Sequence, residues 1–131
     1  VTAANYLYPN KNCLVIDAGT SITYDLITAN AEYLGGNISL GISMRYKALN
    51  NFTARLPLLN SKESTGEFIG KNTKSAIETG VLEGMTGEVK HFISLFKKKF
   101  DPLIIVFCGG DVGFFETKIK ESIFVVPELV L

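Results

Sequence analysis

The sequence has no tryptophan, a single histidine and only two cysteines. With one histidine, His91, and no serine or cysteine arranged to pair with it, there is nothing from which to build a nucleophile–base relay, so a structural or surface role is expected for it. Cys13 and Cys108 are too few for a disulfide framework, and neither has a second cysteine or a histidine at metal-ligand spacing. An excess of either charge is also missing: 13 Lys+Arg balance 13 Asp+Glu over 131 residues. Proteins that grip duplex nucleic acid or anionic membranes carry a basic excess, so neither is expected as a partner. The longest purely apolar run, Leu103 to Cys108, is six residues; a membrane span needs about 20. Residues 1–10 lack the charged and apolar segments of a secretion signal, so a reduced, cytoplasmic setting is expected. The glycosylation-like triplets at Asn37 and Asn51 would then stay idle. Internal repeats and low-complexity segments are absent too. What is present suits one packed domain: 131 residues, of which 47% are apolar.

The periodicity alternates between strand and helix. Residues 1–8 read as the end of a helix, and Pro9 to Asn12 as a turn. Cys13–Ile16 is a buried-strand run closed by Asp17-Ala-Gly-Thr20. A second β-rich run covers Ile22–Ile27, and a third Glu32–Ile38, joined by a tight connection at Thr28–Ala31. Short strands joined this way predict an antiparallel meander. Apolar residues at three- and four-residue spacing predict a helix from Ile42 to Leu56, stopped by Pro57. A polar loop over 60–71 leads to a long helix opening at Asn72-Thr73, with Ile77, Val81, Met85, Val89, Phe92, Ile93 and Phe96 on one stripe. Lys97-Lys98-Lys99 closes it, where positive charge suits the helix dipole. A strand at Leu103–Cys108, a helical stretch to about Lys120 and a short strand at Ile123–Val126 complete a β-β-β-α-α-β-α-β order.

Three places can carry chemistry. Asp17-Ala-Gly-Thr20 lies between two strands. Its amides and the Thr20 hydroxyl could hold phosphate oxygens, with Asp17 as a hard oxygen ligand for a cation. It reads equally as a hairpin turn with an Asx cap. Cys108-Gly-Gly-Asp111 marks a strand-to-helix junction that either lets a flat ligand or phosphate approach the backbone or is a tight turn with Asp111 as N-cap. Asn72-Thr73 opens the long helix, and one of them is expected to cap it. Gly80, Gly84 and Gly87 weaken that helix by about 1 kcal/mol each relative to alanine. Close packing, as at a subunit interface, would compensate. Asp25, Glu32 and Asp111 are too scattered to act as a carboxylate pair.

Four blocks, in order, resemble the type III pantothenate kinases of the acetate and sugar kinase/Hsp70/actin superfamily. They are Val15-Ile-Asp-Ala-Gly-Thr-Ser-Ile-Thr-Tyr-Asp25; Gly35-Gly-Asn-Ile-Ser-Leu-Gly-Ile-Ser-Met44 with Thr53-Ala-Arg-Leu-Pro57; Gly70-Lys-Asn-Thr73 with Ala76 and Gly80; and Gly109-Gly-Asp111. Ser21, Leu40 and Cys108 depart from the usual Ala, Pro and Thr. The resemblance implies a ribonuclease H-like α/β domain, a mixed sheet flanked by helices. It implies that residues 1–131 form the second, C-terminal domain of two. The first domain's Asp-x-Gly-Asn-Thr phosphate loop has no counterpart in this sequence. Nor has the Gly-x-Asp-Arg motif that supplies the family's general base, which by family spacing would end just before Val1; no catalytic base is therefore assigned here. Carried over residue by residue, Asp17 would ligate a monovalent cation, potassium or ammonium, Thr20 would contact ATP and Thr73 would contact pantothenate. Gly109-Gly110 would lie toward the adenosine. The implied reaction moves the γ-phosphoryl group of ATP, accompanied by Mg2+, to the primary hydroxyl of pantothenate, the first step toward coenzyme A. The implied assembly is a homodimer with the pantothenate pocket near its interface, placed here on the helix from Thr73. The alternative is a non-catalytic protein of the same lineage, such as a Bvg accessory factor-like regulator, or an inactive remnant. Retention of Asp17 and Thr20 favours the kinase.

Overall fold

The computed structural model describes residues 2–64, 66–120 and 123–126. Its elements are α1 (Thr2–Leu7), β1 (Asn12–Ala18), β2 (Ser21–Ile27), β3 (Tyr33–Leu40), α2 (Ile42–Asn51), α3 (Thr73–Lys99), β4 (Leu103–Cys108), α4 (Val112–Glu116) and β5 (Ile123–Val125). The five strands form one sheet in the order β3-β2-β1-β4-β5. The meander β1-β2-β3 is antiparallel, as its tight turns predict, whereas β4 and β5 run parallel to β1. Parallel pairing needs a long crossover, and α2 and α3 supply it between β3 and β4.

Alternation along the strands splits the core between two faces. Leu14, Ile16, Tyr24, Ile105 and Phe107 face α2, α3 and α4. Cys13, Val15, Ile27, Val106 and Cys108 face the other way, with Ala4 of α1 packed on them. Burial on both faces explains why β1 and β4 read as unbroken apolar runs. Of the stripe expected on the long helix, Ile77, Val81, Met85, Val89 and Ile93 are buried against the sheet, and Phe92 and Phe96 pack on its margin, partly buried. Each buried side chain contributes about 1.5–3 kcal/mol. Among the described residues, no helix is long and apolar enough to cross a membrane.

Several boundaries differ from the sequence expectation. Val1, part of the expected first helix, and Thr65, within the expected loop, lie outside the described residues. β1 runs on through Asp17 to Ala18, and β3 spans Tyr33–Leu40 rather than Glu32–Ile38. The helix expected to reach Leu56 stops at Asn51, well before Pro57. Phe52 closes it through Ala48 O, the Thr53 hydroxyl turns back to Leu49 O, and Asn50 Nδ2 donates to Leu56 O at 2.8 Å. Short polar side chains here compete for the carbonyls that a longer helix needs. Leu56 still packs against the core, which is why the apolar spacing suggested a longer helix. The stretch expected to be helical to Lys120 is a five-residue helix followed by turns through Phe115 O.

Candidate functional site

β1 and β4 end side by side, so Asp17 stands opposite Cys108 in the parallel ladder. The C-terminal ends of parallel strands in an open sheet are where such folds bind ligands. After Ala18 the chain reverses through Gly19 and Thr20, with Gly19 N donating to Ser21 O at 3.1 Å. After β4 it turns at Gly109, whose φ of +97° lies in the left-handed region. The two turns are bonded: Asp111 N donates to Ala18 O at 2.9 Å. A Cβ on Gly109 would lie 2.5 Å from Ala18 O and 2.6 Å from Asp17 Oδ1. From the opposite side, Gly41 N donates to Thr20 O at 3.0 Å, and a Cβ there would collide with the carbonyls of Gly19 and Thr20. The Asp17–Thr20 turn is thus clasped between two glycines that no larger residue can replace without moving backbone.

Asp17 is half-buried and Thr20 is exposed. Among the described residues, no hydrogen bond or ion pair engages the Asp17 carboxylate, so the turn-cap alternative has no bond behind it. Burial, followed by the charge of Asp17, pushes the Cys108 thiol up to about 11. The donors around Asp17 are oxygens, a carboxylate beside backbone carbonyls, and a Cβ would fill the space Gly109 leaves there. That donor set fits a hard cation. Among the described residues, no group of three or more His, Cys, Asp or Glu converges as a metal cluster.

Thr73 stands elsewhere. A groove of about 710 Å³ runs between α2 and α3, lined by Leu40, Arg45, Leu49, Leu56, Ile77 and Val81, with Thr73, Ala76 and Gly80 on the α3 side. The cap of α3 is Asn72, not Thr73: its side chain accepts from Ser75 N at 2.8 Å, and Ser75 Oγ accepts from Asn72 N in return. The Thr73 hydroxyl is therefore not spent on capping. Asp111 heads α4 without capping it and instead pairs with Lys62, Nζ to Oδ1 2.5 Å, 49 residues away. His91 is exposed on α3, consistent with a surface role. Asp17 and Thr20 are thus brought together with Gly109, and Thr73 occupies a second station. The Gly41 junction joins the two, since it holds Thr20 and begins the helix that lines the groove.

The profile of the type III pantothenate kinases matches residues 1–95. The chain belongs to this family. The type III pantothenate kinases of Phocaeicola vulgatus and Christiangramia forsetii are each 46% identical to it over 131 residues. In both cases all of this chain is matched, but only 54% of the relative. The chain spans about half the length of the curated relatives it matches. A Campylobacter jejuni protein assigned to the Baf family of transcriptional activators superposes with a TM-score of 0.64 at 27% identity, over 93% of this chain and 54% of that one. Chains of the PilM–PilN type IV pilus biogenesis complex and of the ethanolamine utilization protein EutJ of Carboxydothermus hydrogenoformans give 0.53 and 0.52 at 14% and 16% identity. They cover 95% and 96% of this chain, and 38% and 47% of theirs. These two share the fold alone. The expected ribonuclease H-like α/β architecture, a mixed sheet flanked by helices, stands.

This pantothenate kinase family chain also holds a polar network that its sequence did not advertise. Glu88 of α3 receives Tyr24 Oη at 2.6 Å, Ser39 Oγ at 2.7 Å and Arg45 at 2.6 Å. Arg45 Nε also donates to Leu40 O at 2.9 Å, which fixes the guanidinium on the groove wall. No spacing rule links residues 24, 39, 45 and 88; only the packing of α3 across the meander does. Burial raises the Glu88 carboxyl, but the hydrogen bonds from Tyr24, Ser39 and Arg45, with the Arg45 charge, outweigh it and hold the group below the ordinary value of 4.5. A carboxyl depressed by folding adds stability that is complete above its unfolded pKa and is lost as pH falls through the folded one. Glu88→Gln is therefore expected to be less stable than wild type at neutral pH, by about 1–2 kcal/mol. The two melting curves should converge below about pH 4.5. An offset that stays constant from pH 7 to 3 would show that the ionised state of Glu88 contributes nothing to the network.

Proposed function

We propose that this chain is the second domain of a type III pantothenate kinase, contributing half of the ATP cradle and one side of the pantothenate pocket. The reaction is transfer of the ATP γ-phosphoryl group to the primary hydroxyl of pantothenate, giving 4'-phosphopantothenate. The observation that carries the reading is the unengaged Asp17 carboxylate, clasped with Thr20 between Gly41 and Gly109 at the ends of parallel strands. Phosphoryl transfer depends chiefly on positioning and charge neutralisation, and those are what this corner can supply. The Thr20 hydroxyl and the turn amides hold phosphate oxygens, and the Gly109-Gly110 turn lets the nucleotide approach the backbone on its adenosine side. Asp17 and neighbouring carbonyls would hold a potassium or ammonium ion. Such an ion, like the Mg2+ that accompanies ATP, offsets phosphate charge when bound. Thr73 donates to or accepts from pantothenate at the end of the groove, whose leucines suit an apolar stretch of substrate.

The homodimer belongs to the same reading. Gly80 and Gly87 have no atom within 4 Å of where a Cβ would stand. Their helix weakening thus has no compensation among the described residues, which supports a second copy against that face. A cytoplasmic location follows from the metabolites involved. The neutral charge balance supports neither nucleic acid nor membrane as a partner.

In an enzyme complete with both domains, Thr73→Val is expected to raise KM for pantothenate by about 5- to 150-fold, the effect of about 1–3 kcal/mol for an unpaired polar partner. KM for ATP should change little. A change confined to ATP would move the substrate pocket away from Thr73, and a loss of stability with unchanged KM values would reduce Thr73 to a helix-start residue.

A further inference from the structure

Residues 56–64 join the substrate groove to the nucleotide corner. At one end Leu56 lines the groove and its carbonyl is held by Asn50. Midway, Tyr46 Oη donates to Ser61 O at 2.6 Å, which ties the segment to α2. One residue later Lys62 Nζ reaches Asp111 Oδ1 at 2.5 Å. The Asp111 side chain is only 7% exposed, whereas that of Lys62 is 47% exposed. Removing the lysine would strand a buried carboxylate, which is costly even though an exposed pair gains little. Asp111 is also the residue whose amide bonds Ala18 O, directly after Asp17. Lys62 is therefore the tie that connects the 56–64 segment, itself fixed to α2, with the turn packed against the Asp17 carboxylate.

We propose that Lys62 is a positioning residue for nucleotide binding: by pairing with Asp111 it holds the Gly109–Asp111 turn in the geometry that receives the nucleotide. This rests on the reading of that corner as an ATP cradle. Lys62 itself touches no reacting atom. Its effect passes through Asp111 to the two turns bonded by Asp111 N and Ala18 O. Lysine at this place also spares α4 a conventional cap, since the Asp111 carboxylate is turned away from its own helix.

The experiment uses a two-domain enzyme containing this chain, as wild type, Lys62→Met and Lys62→Arg, with two readouts. The first is amide hydrogen exchange without nucleotide. Lys62→Met is expected to speed exchange of the Asp111 amide at least tenfold, while Lys62→Arg, which keeps the charge, stays within threefold of wild type. The second is binding of a fluorescent ATP analogue, with Kd expected to rise five- to twentyfold in Lys62→Met and to be restored in Lys62→Arg. Unchanged Asp111 exchange in Lys62→Met overturns the tie. Faster exchange with an unchanged Kd overturns the positioning role. Failure of the two-domain wild type to bind the analogue at all, while exchange behaves as expected, rejects the ATP cradle and the positioning role with it, and leaves the tie standing. A Lys62→Met chain that melts with wild type in circular dichroism confirms that these changes are local.

Discussion

The 131-residue chain by itself is expected to show no turnover of pantothenate with ATP. The groove that ends at Thr73 is lined by aliphatic side chains, Thr73 and Arg45, without a carboxylate or histidine. Glu88, the nearest carboxylate to that wall by contact, is occupied by Tyr24, Ser39 and Arg45. His91 is a long way along α3 from Thr73. Nothing in the groove can therefore take the proton from a substrate hydroxyl, a service worth about 10² to 10⁴ in rate. On the proposed two-domain reading, the absence of the other half of the phosphate cradle should cost more. Fusing the first half of the Phocaeicola vulgatus relative ahead of Val1 is expected to restore turnover. The check is a coupled assay for ADP release with and without pantothenate. Pantothenate-dependent release by the isolated chain would mean that a base is present that this reading has missed.

Asp17→Asn is the substitution that separates a cation ligand from a turn residue. Asparagine keeps the size and caps about as well as aspartate, so a capping role would survive it. It removes the negative charge at the end of β1 while leaving Asp111 paired with Lys62. In a two-domain enzyme the change is expected to abolish activation by potassium and to weaken ATP binding, while the melting temperature falls only slightly. The measurement is activity against potassium concentration at constant ionic strength, balanced with a large organic cation. A variant that keeps the wild-type potassium response would falsify the assignment of Asp17.

How much of this was legible beforehand follows from the range of each interaction. Strand β4 was readable to the residue, and the stripe of α3 was readable except that Phe92 and Phe96 reach only the core's margin, because periodicity and burial are local signals. The meander was readable because its turns are short. The end of α2 was not: Leu56 keeps helical spacing while Thr53 and Asn50 divert the backbone, and apolar spacing carries no record of that competition. At the site, Asp17, Thr20 and Gly109 could be named from turn chemistry, and their meeting required the parallel pairing of β1 with β4 across a long crossover. The capping residue of α3 was narrowed to two candidates, and the Ser75 partner decides for Asn72. Lys62 and Glu88 carried no signal. Each acts on a residue more than 40 positions away, and one sequence holds nothing that pairs them.

The placement of Cys108 beside Asp17 has a practical consequence. With its thiol buried and pushed up to about 11, Cys108 is held in its unreactive protonated form at pH 7. Cys13 is buried as well and its thiol is also raised. Thiol-directed reagents are therefore expected to react slowly with the folded chain and faster when the sheet opens. The two native cysteines lie on neighbouring strands and face the same side, so their labelling rate times the separation of β1 from β4 without an engineered probe. A ligand that binds the corner between those strands would slow that clock, which makes cysteine protection a screen for occupancy that needs no knowledge of what the ligand is.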